Sequence, residues 1–139
     1  HRPVAFISGF ELRRGAIASS NSPDDNNILC IGANTDDMAF AVNWIIKAQG
    51  GQIVVKNEKV LEFLPLPIGG IVADYKPAEM VERETRLDDA ARQLGCRFSS
   101  PFMQMMFLSI TATPEYAITD RGLVDTVRHM VISPILGPA

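Results

Sequence analysis

Apolar and polar positions fall in blocks along this chain, and the period within each block predicts its element. Residues 4–8 are rich in strand formers, and the stretch bounded by Gly9 and Gly15 turns the chain into a second apolar run at 16–18. Strand, turn, strand is the simplest reading. A polar stretch, 19–27, separates that run from a further short strand predicted at 28–31. Met38, Val42, Ile45 and Ile46 then recur at helical spacing, after Thr35-Asp36-Asp37 as cap and acidic first turn and before Gly50-Gly51. This predicts a helix over 36–49 with Trp44 towards the edge of its buried face. Apolar runs at 52–56 and 59–64 flank Lys56-Asn57-Glu58-Lys59, which predicts a hairpin with an exposed turn.

Pro77 opens a second helix, 78–94, closed by Gly95. Met80, Val81, Leu87, Ala91 and Leu94 mark its apolar face. Glu82, Glu84, Asp88 and Asp89 fall on the other side beside Arg83, Arg86 and Arg92, as partners along a solvated surface. Two segments resist a periodic reading. Residues 65–72 are apolar yet carry two prolines and two glycines, so they either lie under their own domain or form a surface that docks on another domain or subunit. Docking is favoured, because burial leaves many backbone groups in need of partners. Residues 101–110, the most apolar stretch, suit helix and strand equally; their methionines serve as core filler or as an adaptable surface, and 102–108 joins 65–72 as a docking candidate. After a turn at 119–122, short final elements are expected over 123–127 and 129–132. The sum is a mixed α/β (α+β) fold, a largely antiparallel sheet packed with at least two helices, in a single domain over 1–139.

At 139 residues such a domain buries roughly two-thirds of its unfolded surface without staples. Cys30 and Cys96 read as small core residues suited to a reducing cytoplasm, with a bridge between them left open. The net charge is -3 and the cations are scattered, which argues against nucleic acid as a partner. The apolar runs fall short of membrane-spanning length, so a soluble, cytoplasmic protein without a membrane partner is expected.

Chemistry concentrates in the stretch 19–27, whose hydroxyls, carboxylates and amides sit between two apolar runs, with Pro23 barring a continuous strand. Two readings compete: a turn whose side chains cap their own backbone, the commoner use of such residues, and a ligand-facing loop. Elsewhere the search is negative. The two histidines, His1 and His129, lie outside any metal-binding spacing, the glycines assemble neither a phosphate loop nor a dinucleotide fingerprint, and the serines form no nucleophile elbow. A complete catalytic set and a metal site are therefore not expected in this chain.

Phe6-Ile7-Ser8-Gly9-Phe10, the run 12–20, the run 28–32, Asn34-Thr35-Asp36-Asp37-Met38, Leu64-Pro65-Leu66-Pro67-Ile68, Pro101-Phe102-Met103 and Leu123-Val124-Asp125 together resemble the C-terminal domain of bacterial adenine deaminases, in the amidohydrolase superfamily. The resemblance covers almost the whole chain. It implies a parent enzyme that hydrolyses adenine to hypoxanthine and ammonia, with manganese or iron held in a barrel domain preceding His1. It also implies a homo-oligomer, with adenine or a related purine as the parent's substrate. The departure from the family lies in the loop, where Pro23 and Asn26 stand at places the family gives to histidine, while Asp24 and Asn27 match. Ser20, Asp24, Asn26 and Asn27 are accordingly the substrate-pocket candidates. The alternative is a stand-alone or degenerate ligand-binding or oligomerisation module.

Overall fold

Strand β1 (Ala16–Ser19) runs through the centre of the protein: all four residues are buried, and both edges are paired. A computed structural model describes residues 3–23 and 26–135. In it, β1 lies between β2 (Leu29–Gly32) and β3 (Gly51–Lys56), and β4 (Lys59–Pro65) completes an antiparallel sheet of order β2-β1-β3-β4. The period of two decides which helix each residue meets. Ile17, Ile31, Val54 and Leu64 join Leu87, Ala90 and Ala91 of α2 (Pro77–Gln93) in one core, which Phe102 and Met105 of α3 (Pro101–Met106) extend. Ala16, Ala18, Ile53 and Val55 point the other way and meet Ala41 and Ile45 of α1 (Thr35–Ala48). The sheet is thus packed between helices, and each large aliphatic side chain buried there contributes about 1.5–3 kcal/mol.

Local chemistry sets the ends of α1. The cap is Asn34 and not Thr35: the Asn34 side chain accepts from the Asp37 N–H at 2.8 Å and donates to its carboxylate at 2.8 Å. The other oxygen of Asp37 accepts from the Glu58 N–H at 2.7 Å, tying the β3-β4 turn to the helix start. Burial opposes ionisation of Asp37, but the hydrogen bonds from Asn34 and from the backbone of Glu58 and Asn57 outweigh it and hold the carboxyl below its ordinary range. Asn57 and Glu58 both take positive φ, the signature of a tight hairpin turn.

Several expectations are corrected. Residues 4–8 form no strand, and Val4, Phe6 and Ile7 are exposed. The sheet β2-β1-β3-β4 is built without them, since strand preference alone makes no strand where no ladder forms. Ile46 is exposed, because the stripe that meets the sheet is Asp37, Ala41 and Ile45, and its neighbour is turned by about 100°. Val81 is exposed for the same reason, lying about 120° around α2 from Leu87, and Ala90 belongs to the buried face. The ambiguous 101–110 stretch is α3 followed by a 3₁₀ turn, Phe107–Ser109; Phe102 and Met105 are core, leaving Met103 and Phe107 outside. An unanticipated strand β5 (Tyr116–Thr119) pairs with β6 (Gly122–Asp125), which pairs with β7 (Met130–Ile132). The cysteines are free; burial pushes the Cys30 thiol up to about 12 and raises that of Cys96.

The polar face of α2 is laced as expected by Arg83 with Glu79, Arg86 with Glu82 and Arg92 with Asp89. Asp88 stands apart. Burial raises its carboxyl to about 6, against the pull of Arg92 and with reinforcement from Glu84 and Asp89. Its folded value lies above the ordinary 3.8, so the folded state holds the proton more tightly and Asp88 subtracts stability as pH rises from about 4 through 6. Asp88→Asn is expected to stabilise the protein at pH 7.5 by about 1 kcal/mol, after allowance for solvent screening of a partly exposed group. Urea unfolding at pH 3.5 and 7.5 checks this; an equal gain at both values contradicts it.

Candidate functional site at the end of the central strands

The polar loop leaves β1 and returns as β2, and its serines are held by the protein itself. The Ser19 hydroxyl accepts from the Asn21 N–H at 3.0 Å and from Gln52 Nε2 at 3.3 Å. Ser20 Oγ accepts from the Gly51 N–H at 2.8 Å and donates to the Gly70 carbonyl at 2.5 Å. Ser22 Oγ lies 2.8 Å from Ser109 Oγ, with both residues buried. Among the described residues every buried side-chain nitrogen and oxygen has a partner. Ser19 thus caps its own loop, whereas Ser20 fastens the distant backbone of Gly51 and Gly70 and Ser22 a distant hydroxyl.

Fastening shapes a pocket. Gly50, Gly69 and Gly70 form its floor, Ile28, Ile45, Ile46 and Ile71 its apolar walls, and Ser20, Asn26 and Gln49 its polar points, around an open volume of about 320 Å³. The floor requires glycine at Gly50, whose φ of +130° excludes most side chains and whose missing Cβ leaves room for the Gly70 Cα. Ser20 closes the same contact from above, since its donated bond holds the 65–72 segment against the sheet end. Asn26 takes φ +50°, with its N–H on the Ser22 carbonyl at 2.8 Å. Among the described residues the side chains of Asn26 and Asn27 carry no hydrogen bond, and both are exposed.

Of the four sequence candidates, Ser20 and Asn26 line one pocket, Asn27 lies beside it without lining it, and Asp24 falls outside the described residues. Gly69, Gly70 and Ile71 were missed as site residues, although an apolar Gly-Gly segment unable to form strand or helix was a signal. Ser109 gave none, being 87 positions from Ser22. A larger hollow of about 430 Å³ flanks α1 at Phe40, Trp44 and Lys47, and no described residue of the loop lines it. Trp44 stacks on Phe40 with centroids 5.9 Å apart and meets the edge of Phe63, so these rings serve one another as packing and the loop pocket is the better candidate.

The described residues do not fit a resident manganese or iron: no group of three or more His, Cys, Asp or Glu side chains among them is placed to hold an ion, and His129 sits on the small β5-β6-β7 sheet between β6 and β7. No helix among the described residues is long and apolar enough to cross a membrane.

Fold and site define an α+β domain that offers a glycine-floored pocket at its strand ends, with no metal-ligand cluster among the described residues. The chain belongs to the adenine deaminase C-terminal domain family, whose profile matches residues 1–130. It is 60% identical over 141 residues to adenine deaminase 4 of Rhizobium meliloti (strain 1021), a match that covers the whole chain and 24% of that protein. Against adenine deaminase 1 of Desulfotalea psychrophila the identity is 49%, over 98% of the chain and 23% of the relative. Against adenine deaminase 1 of Latilactobacillus sakei subsp. sakei it is 47%, with the same coverage. The chain thus spans about a quarter of the length of these relatives.

Proposed function

We propose that this chain is the C-terminal domain of an adenine deaminase-type hydrolase, and that its loop closes one side of the parent's substrate site. The parent converts adenine and water to hypoxanthine and ammonia, with its metal, manganese or iron, held by an upstream barrel. The observation that carries the reading is the match of the entire chain to about a quarter of proteins named adenine deaminases. The surface around the pocket supports it. From residue 63 to residue 73 there is no ionisable side chain, yet Ile68, Ile71 and Val72 are exposed, and Ile46 of α1 adds to the same rim. An apolar rim of that kind is suited to docking on a larger body, and the barrel is the occupant the family supplies.

Within this arrangement the chain contributes hydrogen bonds and shape. Asn26 and Asn27 have both a donor and an acceptor free for the edge of a purine, where the family's histidine at position 26 also offers proton transfer. Ser20 keeps the floor closed. In the full-length enzyme, Asn26→Ala and Asn27→Ala are each expected to lower kcat/KM for adenine by about tenfold, the worth of one hydrogen bond of about 1.4 kcal/mol, with the melting temperature nearly unchanged at Asn27 and lowered slightly at Asn26, whose φ of +50° suits asparagine better than alanine. The rival reading, a loop that only caps itself, predicts the reverse: lower stability and unaltered turnover. Unaltered kinetics in both variants would remove the loop from the active site.

A further inference from the structure

We propose that Ser109, through Ser22, is a positioning residue for the substrate-facing loop. It comes from the 3₁₀ turn after α3, and among the described residues it is the one side chain of that region hydrogen-bonded to the loop. Ser22 and Ser109 are 1% and 0% exposed, so their contact is sealed from water. The arrangement that satisfies both hydrogens has Ser22 Oγ–H donating to Ser109 Oγ at 2.8 Å, while Ser109 Oγ–H donates to the Pro23 or Met106 carbonyl, each at 3.4 Å. One hydroxyl thereby grips the loop at the Ser22 side chain and, when its hydrogen turns to Pro23, at the next residue's backbone as well.

The grip is transmitted by one further bond. The Ser22 carbonyl accepts from the Asn26 N–H at 2.8 Å, and Asn26 is held in a left-handed conformation with its side chain at the pocket. Asn26 therefore takes its position from Ser22, and Ser22 from Ser109. A sealed hydroxyl pair suits this role, because in a dry interior its direction is fixed and water offers no competing partner. The inference rests on the reading that the loop faces substrate, and adds that its geometry is set from the opposite end of the chain.

The pair allows stability and positioning to be separated. Removing one hydroxyl leaves the other buried and alone, whereas removing both leaves no orphan. In the full-length enzyme, Ser22→Ala and Ser109→Ala are each expected to lower the melting temperature by several degrees, and the double variant to regain most of that loss. Kinetics are expected to differ: kcat/KM for adenine falls about tenfold in all three, because a displaced Asn26 stays displaced. The Asn26 amide should also exchange its hydrogen faster in the double variant than in the parent. Recovery of kcat/KM in step with the melting temperature would make the pair merely structural, as would unaltered kinetics alongside an impaired Asn26→Ala variant. If Asn26→Ala is itself unimpaired, the failure belongs to the reading of the loop and carries this inference with it.

Discussion

Purified alone and supplied with manganese and adenine, the 139-residue chain is expected to release no ammonia. Hydrolytic deamination needs a water made nucleophilic at neutral pH, which a metal supplies only where ligands hold it with an open position. The described residues bring no such set together, and the loop pocket offers amides, hydroxyls and glycine backbone in its place. An amide neither takes nor gives a proton at neutral pH, so Asn26 cannot replace the imidazole that the family carries at its position. Against the longer enzyme the expected difference is the whole of the activity. Chelator-sensitive ammonia release by the chain alone would contradict it, and would call for a metal site built partly from residues 24 and 25, which lie outside those described.

Gly50→Ala is expected to cost about 3 kcal/mol of stability or more, the largest effect of any single methyl group at the site. The φ of +130° is closed to alanine, and the new Cβ would meet the Gly70 Cα and, at 2.8 Å, the Leu66 carbonyl. Both obstacles are backbone, so neither can turn aside as a side chain would. Gly69→Ala is the control. Its φ of +63° strains alanine by about 1–2 kcal/mol, but nothing lies within 4 Å of the added carbon. Urea unfolding of the two variants should place Gly50→Ala well below Gly69→Ala, and only Gly50→Ala should open the contact that Ser20 bridges. Equal losses would show that backbone strain alone matters there and that the pocket floor is not closely packed.

How much of this was legible in advance depends on the range of the forces involved. Helices α1 and α2 and the β3-β4 hairpin stood out in sequence because their signals are local: period 3.6 between caps, Pro77 before and Gly95 after α2, and a two-residue turn between two apolar runs. Which side of the sheet each β3 residue meets was not legible there, because Ile53, Val54 and Val55 are all apolar and all buried. Residues 4–8 read as strand by the same local preference and are not, because strand is a property of pairs and this segment joins no ladder of the sheet. Ile46 and Val81 were placed in buried faces by their apolarity and lie outside by an angle only the packed helix defines.

The site divides in the same way. The polar loop announced itself as a cluster of hydrogen-bonding side chains between apolar strands, and chain-long likeness told which domain family it belongs to. What the loop's groups do was invisible until their partners were in place. Ser20 reads as a ligand group and is a clasp on Gly70; Ser22 reads as a turn residue and is sealed against Ser109, 87 positions away. Gly69 and Gly70 become a pocket floor only where Gly50 makes room for them. Periodicity along the chain thus determined the helices and the hairpin, because those follow from neighbours within a few residues, and only part of the faces they bury. The pocket and the anchoring of its loop were decided by tertiary structure alone, because each depends on a hydrogen bond or close approach between segments that no local pattern records.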